Sequence, residues 1–303
     1  MPHDVKYRTH GAWRLGRPAF AGYPVTRNSR AAHRMIDWDD AFEISGHIPG
    51  AQDLPDHWAA RAAEFRAAWS RVSDVQTDLV YGPEARHRFD LFAPQGDSAG
   101  LFVFIHGGYW RRFDKSYWSH LAAGALARGW HVAMPSYVLA PQARISDIRA
   151  AIASAVGAAA ARVPGPIVIA GHSAGGHLAA RMMCDGALAS DLASRLTRVT
   201  SISGLHELDL LCLTKLNETL RLSEAEARAE SPAALAPLTH VPFTAWVGAQ
   251  ERPEFLRQTR VIEECWSRHG ADVRAVYEAG HDHFTVIEAL ETPDSPLMHA
   301  VLG

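Results

Sequence analysis

The chain is 303 residues long, 48% hydrophobic and carries a formal net charge of −3. That length and apolar content suit one large core, and the near-neutral balance argues against nucleic acid or a membrane surface held by bulk charge. No apolar stretch reaches membrane-spanning length, no secretion-type leader is visible, and Cys184, Cys212 and Cys265 lack metal-type spacing. They read as free thiols of a reducing compartment, with the cytoplasm as the expected location.

Residues 1–34 stand apart. Lys6, Arg8, Arg14, Arg17, Arg27, Arg30 and Arg34 face a single acid, Asp4, and show no helical period. The expectation is a basic N-terminal arm over 1–50, poorly ordered in part, or an upstream extension of a chain that starts at Met35. A catalytic domain is then expected over 51–303.

Trp58, Ala62, Phe65 and Trp69 recur on one face of a helix predicted over about 55–70. Two alternating runs, 77–81 and 88–92, read as half-exposed edge strands. Six short apolar runs follow, at 101–105, 131–134, 166–170, 199–202, 243–247 and 273–277, as suits buried parallel strands. Helical stretches near 116–128, 144–162, 176–184 and 253–269 separate several of them. Strands alternating with helices predict an α/β class, a doubly wound, mostly parallel sheet of about eight strands with right-handed crossovers. That is the arrangement of the α/β-hydrolase fold. A longer insertion at about 205–240, with the charged run Glu224–Glu230, is placed to form a small lid over the strand ends.

The most specific local signal is Gly171-His172-Ser173-Ala174-Gly175. It joins the apolar run at 166–170 to a helical one, the strand–turn–helix context of a nucleophile elbow with Ser173 at its tip. A serine needs a base, and the base a carboxylate to hold its tautomer. In this fold the partners follow in the order Ser, acid, His. After the strand at 243–247 stand Glu251 and Glu254; Glu251 lies in the turn, whereas Glu254 faces a helix start where a carboxylate favours the dipole. After the last strand stand His281 and His283. His283 directly precedes an apolar helical run at 284–290, which favours it as base. A metal reading of His281, Asp282 and His283 lacks a second ligand cluster, so no metal and no cofactor are expected.

The second strong signal is His106-Gly107-Gly108-Tyr109-Trp110 after the strand at 101–105. Its Gly107 and Gly108 N–H groups, with that of Ala174, would form an oxyanion hole, and His106 would brace the loop. Tyr109, Trp110, Phe113 and Tyr137 are candidates for an aromatic wall in the substrate site, core packing being the alternative. Asn217 is a candidate for binding a polar head group.

HGG together with GHSAGG resembles the hormone-sensitive-lipase-like branch of the α/β-hydrolases. The longer string HGGYW resembles the signature of the kynurenine formamidase (arylformamidase) family. Further similar segments are Asp114-Lys115-Ser116, Ser136-Tyr137-Val138-Leu139-Ala140-Pro141, Ser203-Gly204-Leu205, Asn217, Ser231-Pro232, Glu254-Phe255-x-x-Gln258 and His283-Phe284. Together they span roughly residues 77–290. The resemblance implies Ser173 as nucleophile, His283 as base and Glu251 as acid, although much of the superfamily carries Asp there. It also implies N-formyl-L-kynurenine as substrate, cleaved to formate and L-kynurenine in tryptophan catabolism. The competing readings are a carboxylesterase or an amide or carbamate hydrolase using the same triad, and a hydrolase-like protein that binds without turnover. The expected partner is a small-molecule aryl formamide or ester, not nucleic acid or membrane; a homodimer is left open.

Overall fold

The structure, a computed structural model, describes residues 36–303, so the basic segment 1–34 lies outside the described residues. In chain order the compact unit Trp38–Gly303 contains α1 (Trp38–Phe42), α2 (Leu54–Trp69), β1 (Val75–Val80), β2 (Arg88–Phe92), β3 (Gly100–Ile105), α3 (Ala123–Ala127), β4 (Trp130–Pro135) and α4 (Ile145–Ala160). Then come β5 (Ile167–His172), α5 (Ala174–Met182), α6 (Ser190–Arg195), β6 (Leu196–Ile202), α7 (Asn217–Leu220) and α8 (Glu224–Glu230). The chain ends with β7 (Phe243–Gly248), α9 (Pro253–Arg268), β8 (Val273–Glu278) and α10 (Pro296–Leu302).

One eight-stranded sheet runs in the order β1-β2-β4-β3-β5-β6-β7-β8. β1 and β2 pair antiparallel, β2 lies antiparallel to β4, and every later pairing is parallel. The expected α/β fold is therefore what forms. β3, β5 and β7 are buried along their whole length. Their successive side chains point to opposite faces, which is why a continuous apolar run is needed. Leu101, Val103 and Ile105 pack with Ile148 and Ile152 of α4 and Leu178 of α5. The intervening Phe102 and Phe104 pack with Trp58 of α2, Leu126 of α3 and Met298 of α10.

Three features differ from the sequence expectation. The compact unit begins at Trp38, so residues 38–50 belong to the catalytic body: Trp38, Phe42 and Ile44 are buried in its core. The stretch predicted as one helix over 116–128 is two 3-10 turns, Lys115–Tyr117 and Ser119–Ala122, followed by the short α3. The apolar run after His283 is likewise a 3-10 segment, Thr285–Glu291. In the insertion after β6, Leu208, Leu211, Leu220 and Ala227 are buried against the main core, so it is docked rather than loosely attached. No described helix is long and apolar enough to cross a membrane, and all three cysteines are free.

Candidate active site

Five loops leaving the carboxyl ends of parallel strands, those after β3, β5, β6, β7 and β8, converge here, the place where ligands bind in open α/β sheets. After β5 the chain turns at Ser173 with φ 57° and ψ −118°, then starts α5. This left-handed geometry costs a non-glycine residue on the order of 1–3 kcal/mol and is found at functional sites; Ser173 itself is buried. The neighbours hold it in place. Ser173 N–H donates to Ile202 O across β6 at 2.8 Å, and a Cβ on Gly175 would stand 2.0 Å from Ile105 O, so only glycine fits there.

The loop after β3 packs directly on this elbow. A Cβ on Gly107 would lie 3.0 Å from Ser173 Cβ and 2.8 Å from His172 O. The N–H groups of Gly107, Gly108 and Ala174 donate to no protein acceptor among the described residues, and they are available to an anion. Ala174 is the first residue of α5, where an N–H has no intrahelical partner. His106 braces the loop as expected: its Nδ1–H donates to Gly107 O at 2.8 Å, and its ring stacks on Tyr137 with centroids 4.4 Å apart. Arg86 ties the loop from outside, donating to Phe113 O and Tyr137 O.

Contacts separate the candidate carboxylates and histidines. Glu251 Oε2 accepts from His283 Nδ1 at 2.6 Å, and both side chains are buried. Glu251 Oε1 accepts from Ser203 Oγ at 2.5 Å and from Gly248 N–H at 2.9 Å. Glu254 is committed elsewhere, to Arg257 and to Gln258 Nε2. His281 sits half-buried on the loop with its nearest carboxylate, Glu278, 4.0 Å away. Of the two pairs of candidates, only Glu251 and His283 meet.

His283 is boxed in by aromatic rings, Phe255 at 4.6 Å and His172 at 4.7 Å between centroids. His172 Nε2–H donates to the His283 carbonyl at 2.8 Å, pinning the loop after β8 to the elbow. Burial, helped by the neighbouring His283, holds the His172 imidazole well below its ordinary pKa, so it stays neutral and keeps this geometry.

The aromatic wall is corrected. Trp110 and Tyr137 are both 0% exposed; Trp110 meets His177 of α5 edge-on and Tyr137 backs His106, so they carry the oxyanion loop from behind. Phe113 joins Trp58 and Trp118 in the core on the other side of the sheet. Tyr109 is half-buried and donates its hydroxyl to Phe42 O at 2.6 Å. Asn217 is also spent internally, bonding the Leu222 N–H and carbonyl to close a turn.

The sequence reading missed the segment after α1 as part of the site. Ile44, His47 and Ile48 line a cavity of about 40 Å³ against Glu251, Phe255 and His283. Arg252 fastens α1, which leads into that segment, by donating to Asp40 O and to the Asp40 carboxylate. Ser203 and His172 were also missed, although His172 lies inside the recognised pentapeptide. Five of the described non-glycine residues with positive φ, Tyr109, Trp110, Phe113, Ser173 and Ser203, lie in the elbow, the loop after β3 or the turn after β6. Among the described residues no group of three or more His, Cys, Asp or Glu side chains is gathered as metal ligands.

Comparisons with known proteins point to hydrolases. The kynurenine formamidase of Danio rerio is 26% identical over 84% of this chain and 94% of its own length. That of Drosophila melanogaster is 26% identical over 86% of this chain and 95% of its own. A solved structure from Silicibacter sp. TM1040, provisionally named a thioesterase, is 46% identical and superposes with a TM-score of 0.84 over 88% of this chain and all of its own. The model of the alpha/beta hydrolase family matches residues 102–300. With an eight-stranded sheet of that topology, hydrolytic relatives along nearly its whole length and this match, the chain is a kynurenine formamidase-like hydrolytic enzyme that belongs to the alpha/beta hydrolase family.

Proposed function

We propose that this protein is a serine hydrolase that cleaves the formamide of N-formyl-L-kynurenine to formate and L-kynurenine. Ser173 is the nucleophile, His283 the general base and Glu251 the acid that holds its tautomer. The observation that carries the reading is the 2.6 Å bond between Glu251 Oε2 and His283 Nδ1 in a chain aligned along nearly the full length of kynurenine formamidases.

With Nδ1–H committed to Glu251, the imidazole Nε2 is the free base. Ser173 Oγ attacks the formyl carbon while Nε2 takes its proton. The carbonyl π electrons move to oxygen, and the N–H groups of Gly107, Gly108 and Ala174 stabilise that oxyanion. Collapse breaks the C–N bond, and the imidazolium returns the proton to the leaving arylamine. Water, deprotonated by the same Nε2, then attacks the formyl ester and releases formate and Ser173. A formyl carbon bears only hydrogen, so this acyl group needs little space beside Ser173, where Gly107 packs closely.

A second reading, a hydrolase of esters or thioesters with the same machinery, is favoured by the 46% identity to the Silicibacter protein. Steady-state kinetics on N-formyl-L-kynurenine, p-nitrophenyl butyrate and butyryl-coenzyme A separate the two. A formamide kcat/KM near or above about 10⁴ M⁻¹ s⁻¹, well ahead of the others, is the expected result. Turnover of the ester or thioester alone would retain the triad and discard the substrate.

A further inference from the structure

We propose that Ser203 is a positioning residue for the acid of the triad, a role that rests on the assignment of Glu251 above. Glutamate has one more rotatable bond than aspartate, so a Glu acid reaches the base in one geometry only if something fixes its carboxylate. Two donors do so here on the same oxygen: Gly248 N–H at 2.9 Å and Ser203 Oγ–H at 2.5 Å, both on Oε1. They leave Oε2 to the His283 Nδ1–H alone. The division of the two oxygens sets both the ring orientation and the tautomer that exposes Nε2 as base.

Ser203 is built for this. It is 0% exposed, follows β6 directly, and its N–H donates to Trp246 O of β7 at 2.7 Å. Its backbone holds φ 51°, a conformation that glycine adopts freely and serine does not. Behind it, a Cβ at Gly204 would stand 2.1 Å from Ser201 Oγ, so the turn has no room to relax backwards. The strained turn carries its hydroxyl across to the loop after β7. A glycine would serve the backbone better; the hydroxyl is what the serine adds.

The test uses Ser203→Ala, Ser203→Gly, Glu251→Gln and the Glu251→Gln/Ser203→Ala double variant, on both N-formyl-L-kynurenine and p-nitrophenyl butyrate. Ser203→Gly removes the hydroxyl while easing the backbone, so it decides the matter even where Ser203→Ala folds poorly. Both single variants at 203 should lose about tenfold or more in kcat with KM nearly unchanged, since only the acid–base geometry is touched. In the Glu251→Gln background, removing the hydroxyl should change kcat less than about twofold, because there is no carboxylate left to hold. Wild-type kcat in Ser203→Gly, or an equal loss in both backgrounds, overturns the positioning role. Full activity in Glu251→Gln alone is a different failure, that of the triad itself.

Discussion

Replacing Ser173 by alanine is expected to lower turnover on the order of 10⁴-fold or more while leaving the fold intact. Alanine keeps the β-carbon, so the left-handed elbow at φ 57° is neither relieved nor worsened, and the Ser173 N–H still meets Ile202 O. What disappears is the atom that attacks. The N–H groups of Gly107, Gly108 and Ala174, the oxyanion donors proposed above, remain and should leave residual activity above water. Initial rates of the purified variant, compared with its thermal unfolding, check both halves. A variant within tenfold of wild type would mean that another group performs the attack. Adding His283→Ala should then cost little more, because members of a triad act as a unit.

Acidification should destabilise the protein strongly between pH 7 and 5. His106, His177 and His206 are essentially unexposed, and burial pushes their pKa values down to about 4, 3 and 4. Each donates a ring N–H to a backbone carbonyl, of Gly107, Glu230 and Gln258 respectively, and is neutral in the fold. In the unfolded chain each titrates near its ordinary 6.5, so below that pH the unfolded state binds more protons than the folded one. The stability they allow is complete above about pH 6.5 and is lost as pH falls toward their folded values. At pH 5 the loss is about 2 kcal/mol for each, or on the order of 6 kcal/mol for the three. Domains of this kind have only about 5–15 kcal/mol in all. Denaturant unfolding across this range should show the decline. A free energy unchanged from pH 7 to 5 would contradict the neutral, buried state of these rings.

The centre of the sheet was legible because its strands are buried on both faces, so Ile167–Ala170 and GLFVFI read as apolar runs with no competing helical period, whereas β8, expected to be buried, is a partly exposed edge strand. The candidate positions were legible for a related reason: in this topology loops follow strand ends, and chain order pointed to Ser173, Glu251 and His283, of which Glu251 and His283 are in contact. Turn position favoured Glu251 over Glu254, and in the structure Glu254 pairs with Arg257 while Glu251 meets His283. What could not be read depends on contacts distant in sequence. The five residues of α1 are too few to show a helical period, yet Phe42 packs edge-on against Phe255, far along the chain. Trp110 and Tyr137 have the composition of a binding wall; only the placement of α5 and His106 behind them makes them internal supports. Ser203 stood in a segment similar to the formamidase family but with no role attached, because the role proposed for it depends on a positive φ and on a carboxylate that folding brings to it.

The most direct test of the triad is covalent labelling by diethyl p-nitrophenyl phosphate, read by intact mass and peptide mapping. Ser173, activated by His283, should take up one diethyl phosphoryl group per chain with release of one p-nitrophenolate. The Ser173→Ala and His283→Ala variants should take up none on the same timescale. A label on another residue, or equal labelling of the His283→Ala variant, would contradict the account that Glu251 and His283 activate Ser173.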